Sequence, residues 1–118
     1  MTKYHNRKVK TFDGTVHDSR KEAVRWLELK MMERAGRITD LKRQVKFVLI
    51  PTQYGKDEKG KKKLLEREAS YIADFVYKVN GEMVVEDVKG YKGGGAYRVF
   101  TIKRKLMLQV YGIQIKEV

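Results

Sequence analysis

The chain has no cysteine, and that excludes a disulfide framework and any zinc site built on thiolates. Its two histidines, His5 and His17, lack ligand partners at metal-site spacing, so a histidine-based zinc site is not expected either. No apolar run approaches the roughly 20 residues a membrane-spanning helix needs. Residues 1–10 are polar and basic, with none of the apolar stretch of a secretory signal. No membrane association is therefore expected, and the location expected is cytoplasmic. The one proline, Pro51, falls where it ends a strand.

Acidic residues are also in short supply. Lys and Arg number 27 against 15 acids, for a formal net charge of +12. Such an excess favours a polyanionic partner, nucleic acid above all, and is silent about catalysis. At 118 residues the chain is long enough for one packed core and reads as a single domain over 1–118. Residues 1–17 form an N-terminal arm with a short hairpin, turning at Asp13-Gly14 between 9–11 and 15–17. Residues 53–69 read as a basic loop insertion carrying Lys61, Lys62 and Lys63.

A helix is expected from Asp18 or Ser19 to Ala35, closed by Gly36. Its apolar stripe reads as Ala23, Leu27, Met31 and Ala35, widened by Val24, Trp26 and Leu29, with Trp26 in the core. Residues 41–49 alternate, Leu41, Val45, Phe47 and Leu49 on one face and Lys42, Gln44 and Lys46 on the other, as a half-buried strand does. Two further strands, 71–79 and 82–89, flank Asn80-Gly81, a pair that tolerates the positive φ of a type I′ turn. Gly93, Gly94 and Gly95 suggest a flexible loop, residues 96–110 a second helix, and residues 113–118 a last strand. The fold class is α/β, with helices flanking a mixed central sheet.

The Asn80-Gly81 turn fixes a register. Val79 pairs with Glu82, Lys78 with Met83, Val76 with Val85, Asp74 with Asp87 and Ile72 with Lys89, all projecting to one side of the sheet. Two carboxylates directly opposed are destabilising, so Asp74 facing Asp87 calls for a cation. Hard oxygen ligands from two strands suit Mg²⁺ or Mn²⁺. Lys89, two residues past Asp87, brings an ammonium to the same face, whereas Glu86 points to the other. The bland alternative is a solvated cluster with Lys89 as a salt-bridge partner, which is usually worth little.

Asp74, a hairpin and then Asp87-Val88-Lys89 resemble the D…(D/E)xK signature of the PD-(D/E)xK nuclease superfamily. The strings at 17–22, 71–75 and 85–90 resemble, more narrowly, small phage and prophage proteins linked to Holliday-junction resolution. The likeness spans about residues 12–111, with Ala73 where the signature has proline. It implies a restriction-endonuclease-like core of order α-β-β-β-α-β and a Mg²⁺-dependent endodeoxyribonuclease. Branched DNA is the implied substrate, a homodimer the implied assembly and the host cytoplasm the implied place. By the same resemblance Asp74, Asp87 and the Val88 carbonyl hold Mg²⁺ or Mn²⁺, and Lys89 is catalytic. Glu22 on the first helix becomes a further catalytic acid and ligand. Ser19-Arg20-Lys21-Glu22 also reads as a capping box, which would engage the same carboxylate, and both readings stand.

Lys103 and Arg98 on the second helix, Gln44 on its strand and Lys61–Lys63 are candidate DNA contacts, each with a solvated face as the plain alternative. Tyr91 and Tyr97 flank the glycines and are placed either to stack on bases or to cover the core edge. Other readings are a nickase or a duplex or flap nuclease of the same fold, and a noncatalytic basic binding module.

Overall fold

A computed structural model describes residues 7–90 and 92–118, so His5 and Tyr91 lie outside the described residues. In chain order the elements are β1 (Val9–Lys10), β2 (Val16–His17), α1 (Arg20–Arg34), β3 (Thr39–Ile50), β4 (Gln53–Lys56), β5 (Lys62–Glu66), β6 (Ala69–Val79), β7 (Glu82–Asp87), α2 (Gly94–Tyr111) and β8 (Lys116–Glu117). The central sheet has the order β3-β6-β7-β8, antiparallel except for the parallel β7–β8 pair. It is thus a mixed four-stranded sheet with two helices, as the α/β reading expected.

The sheet packs on two clusters. Trp26, Leu29, Ile38, Phe75 and Tyr77 join α1 to the sheet, with the Trp26 and Phe75 rings stacked at 5.9 Å. Leu49, Tyr71, Ala73, Val76, Val85, Phe100, Met107 and Ile115 join it to α2. Membership changes along both central strands at one level. On β3, Leu41 packs toward α1 but Val45 and Phe47 toward α2, and on β6, Phe75 packs toward α1 but Ala73 toward α2. Gln44 lies at that level in the left-handed region, φ 55°, between the pairs Arg43–Phe75 and Val45–Ala73. It therefore stands opposite Asp74, and a non-glycine residue in that conformation marks local strain.

Several expected elements differ. Residues 53–69 are not a loop: β4 and β5 form a separate antiparallel hairpin. Asp57 makes its turn, its Oδ1 accepting from the Lys59 and Lys61 amides, with Gly60 at φ 79°. The run of lysines hid this hairpin, because its residues are almost all exposed and show no apolar alternation. The α1 stripe is Glu22, Ala23, Trp26 and Leu29, while Val24, Met31 and Ala35 face solvent. The every-fourth-residue series drifted off the buried face because a helix turns in 3.6 residues. The first hairpin turn is wider than Asp13-Gly14, since Val9 pairs with His17 and Lys10 with Val16. Asp13 braces it, accepting from Thr15 Oγ1 at 2.8 Å and from Trp26 Nε1 at 2.7 Å. Gly94 and Gly95 open α2, with Gly93 as its cap, instead of forming a loop. Only Lys116–Glu117 of the last segment forms a strand.

Candidate active site

Asn80 and Gly81 adopt φ values of 51° and 82°, so the turn forms as a type I′ geometry requires. The pairs Val79–Glu82, Lys78–Met83 and Val76–Val85 follow as the turn dictates, and the β6–β7 ladder then stops at Phe75–Glu86. Asp74 and Asp87 are therefore not ladder partners, nor are Ile72 and Lys89. Instead the Asp74 side chain enters the gap, its Oδ2 accepting from the Val88 amide at 2.7 Å. This bond satisfies a backbone donor that the splayed strand leaves free.

Beyond the ladder, β7 is held by the C-terminal segment, the Lys89 amide donating to the Val118 carbonyl at 3.0 Å and the Val118 amide to the Asp87 carbonyl at 2.9 Å. Asp87 is 7% exposed and has both oxygens engaged. Lys89 Nζ lies 2.8 Å from Oδ1, and the Tyr71 hydroxyl donates to Oδ2 at 2.6 Å. The ammonium also sits 3.3 Å from the centre of the Phe100 ring, a cation–π contact that keeps it beside the acid. Tyr71 is a site residue that sequence reasoning missed, since nothing in the pattern of β6 separates it from an ordinary core aromatic. Burial, and then its bond to Asp87, push its hydroxyl pKa up, so it stays a donor.

Asp74 is pushed up to about 7, chiefly by burial; the Val88 amide opposes the rise, and Asp87 and Glu22 add to it. Glu22 is 5% exposed and raised too, by burial first and Asp18 next. Half of the capping box is present, the Glu22 amide donating to Ser19 Oγ at 3.1 Å. The Glu22 carboxylate turns elsewhere: Oε1 lies 3.5 Å from His17 Nδ1 and 3.8 Å from the Arg43 guanidinium, with no hydrogen-bond partner of its own. It lines a cleft of about 380 Å³ together with Asp74, Val88 and Gly90. Glu22 thus both starts the helix, through its amide, and reaches the cleft, through its carboxylate.

Glu86, as expected, serves the opposite face. Arg25 grips it through Nε at 2.8 Å and NH2 at 2.7 Å, and the Tyr77 hydroxyl also donates to it. Burial alone would raise this acid; those two partners override it and lower its pKa.

The other candidates are scattered. Lys103 borders a pocket with Tyr71 and Phe100, close to the Asp87 side of the site. Arg98 is exposed on α2, and Gln44 is exposed at the level of Asp74. Lys61, Lys62 and Lys63 belong to the separate hairpin, where Lys62 covers the Tyr54 ring at 4.0 Å. Tyr97 donates to Glu117 at 3.0 Å, next to the Arg104–Glu117 ion pair.

Among the described residues no three His, Asp or Glu side chains stand at metal-holding distance. The donors available are fewer: Asp74, Asp87 and the Val88 carbonyl, with Glu22 nearby. Their chemistry fits Mg²⁺ or Mn²⁺, which commonly take one or two carboxylates and complete the shell with water and phosphate. A half-buried carboxylate whose pKa is raised by burial first and by acidic neighbours after it is also a group that a cation would relieve.

A family model described as "Protein of unknown function (DUF1064)" matches residues 1–117. The chain belongs to this family. No curated protein and no solved structure matches it. The family match thus spans both carboxylate-bearing strands, both helices and the basic hairpin.

Proposed function

We propose that the chain is a metal-dependent endodeoxyribonuclease with a restriction-endonuclease-like core, acting on branched DNA as a homodimer. The observation that carries this reading is Asp74, a partly buried carboxylate sharing one cleft with Glu22 and bound to the amide of Val88, the residue between the ion-paired Asp87 and Lys89. The net charge of +12 supports a phosphate-backbone partner. Asp74, Asp87, the Val88 carbonyl and Glu22 would hold Mg²⁺ or Mn²⁺; when bound, the ion acidifies a water and neutralises charge on the scissile phosphate. Lys89, held by Asp87 and Phe100, would donate to a phosphate oxygen or orient the attacking water. Tyr71 fixes the Asp87 carboxylate. Lys103, Arg98, Gln44 and Lys61–Lys63 would contact the DNA.

A second reading is favoured by one feature: both Asp87 oxygens are already satisfied by Lys89 and Tyr71, as in a purely structural cluster within a basic binding module. Cleavage of a labelled four-way junction beside the matching linear duplex, with Mg²⁺ or Mn²⁺, separates these. Paired symmetric cuts in the junction alone support a resolvase. Cuts in both substrates keep the nuclease and point to a nickase or a duplex or flap enzyme. Tight binding without metal-dependent cutting leaves the binding module.

A further inference from the structure

Next to the carboxylate cleft lies a larger groove of about 640 Å³, between the first half of α1 and the end of the central sheet. Val24, Val88 and Val118 supply its apolar lining, and Arg20, Lys21 and Lys116 its cationic lining. Its one acid, Glu28, is already 3.4 Å from Arg25, itself bound to Glu86. The groove and the cleft share Arg20, Lys21 and Val88. Lys21 marks the boundary, its ammonium donating to the Lys89 carbonyl at 2.6 Å.

The two halves of this surface ask for different chemistry from one ligand. The cationic lining is matched by phosphate. Three lining valines gain nothing from a sugar–phosphate backbone, but they are desolvated favourably by a flat apolar face. In duplex DNA the base faces are stacked away, and only an unpaired nucleotide offers both a phosphate and an open base face. Val24, on the first half of α1, is 51% exposed and so open to a ligand in the groove.

We propose that this groove binds an unpaired nucleotide of the DNA strand that enters the cleft, so that the protein prefers DNA whose pairing is interrupted beside the cut. The inference rests on the nuclease reading above for its substrate, but its test does not require cleavage. The strand's phosphate would lie against Arg20 and Lys21, and the base against the valines. Recognition of a junction or flap then follows from one loosened nucleotide and needs no base sequence.

The test is equilibrium binding in EDTA of a duplex bearing a short single-stranded flap, compared with the same duplex fully paired. A 2-aminopurine stands at the first unpaired position. Wild type should bind the flapped DNA about tenfold more tightly, the equivalent of covering about 60 Å² of apolar base face, and should change the 2-aminopurine emission. Val24→Arg fills the groove yet adds a positive charge, so it should abolish both effects without weakening binding to the paired duplex. Because Val24 is exposed, this variant should melt with wild type. Equal affinity of wild type for the two DNAs, or a flap preference that survives Val24→Arg, would overturn the groove assignment even if the protein cuts DNA. A flap preference lost in Val24→Arg, from a protein that cuts nothing with Mg²⁺ or Mn²⁺, would uphold the groove and sink the nuclease reading.

Discussion

At Asp74 burial and neighbouring acids hold the carboxyl at about 7, well above its ordinary 3.8. The consequence for stability has a definite sign. Below about pH 4 both folded and unfolded chains carry a protonated Asp74, and the group is neutral to stability. Between about pH 4 and 7 the unfolded chain ionises first, so stability falls as pH rises, and the full penalty remains above pH 7. Without divalent metal, thermal melts should therefore show wild type losing stability from pH 5 to pH 8, by on the order of 2 kcal/mol relative to Asp74→Asn. Parallel pH profiles for the two proteins would refute this. On the other face, Arg25→Ala should cost about 3–5 kcal/mol in denaturant melts, because it leaves Glu86 buried with only Tyr77 as partner. That Asp74 comes close to the Asp87–Lys89 segment was legible in sequence, because the Asn80-Gly81 turn counts outward in twos, but the direct Asp74–Asp87 pairing was not, since Asp74 bonds the Val88 amide instead. Tyr71 and Lys21 were not, since each reaches the site through a long-range side-chain bond that no spacing encodes.

Among the elements, the β6–β7 hairpin is the one the site depends on, and its turn carries φ values that favour Asn and Gly. Gly81→Ala should lower stability by about 1 kcal/mol in a chemical melt. It should also loosen the Asp74–Val88 bond, read as faster hydrogen exchange at the Val88 amide; unchanged exchange would separate the turn from the site. The ladder ends one pair before Asp74–Asp87, and counting from the turn could not reveal that, because tertiary packing decides where strands part. The β4–β5 hairpin was hidden for a different reason. It buries almost nothing, so the apolar alternation that reveals a strand is absent, and its lysines read as a loop.

The whole molecule is extended, with a Cα radius of gyration of 17.6 Å, where a compact chain of this length would have about 13–14 Å. The exposed basic hairpin forms a two-stranded sheet separate from the central one. Replacing Lys61, Lys62 and Lys63 by alanine should leave folding unchanged and flatten the salt dependence of DNA binding. For every phosphate that the variant no longer neutralises, the slope of log K against log salt should fall by about 0.9. An unchanged slope would mean that the hairpin serves something other than DNA.

Metal-dependent nicking of a supercoiled plasmid that carries an inverted repeat tests the carboxylate site most directly, because the extruded cruciform presents a four-way junction beside ordinary duplex, and one cut in either converts the whole molecule. Wild type should nick the plasmid with Mg²⁺ or Mn²⁺, lose that activity in EDTA, and lose it in Asp87→Asn although that variant still binds DNA. Intact plasmid under every metal condition, or equal nicking by Asp87→Asn, would contradict the assignment of Asp74, Asp87 and Lys89 as a catalytic centre.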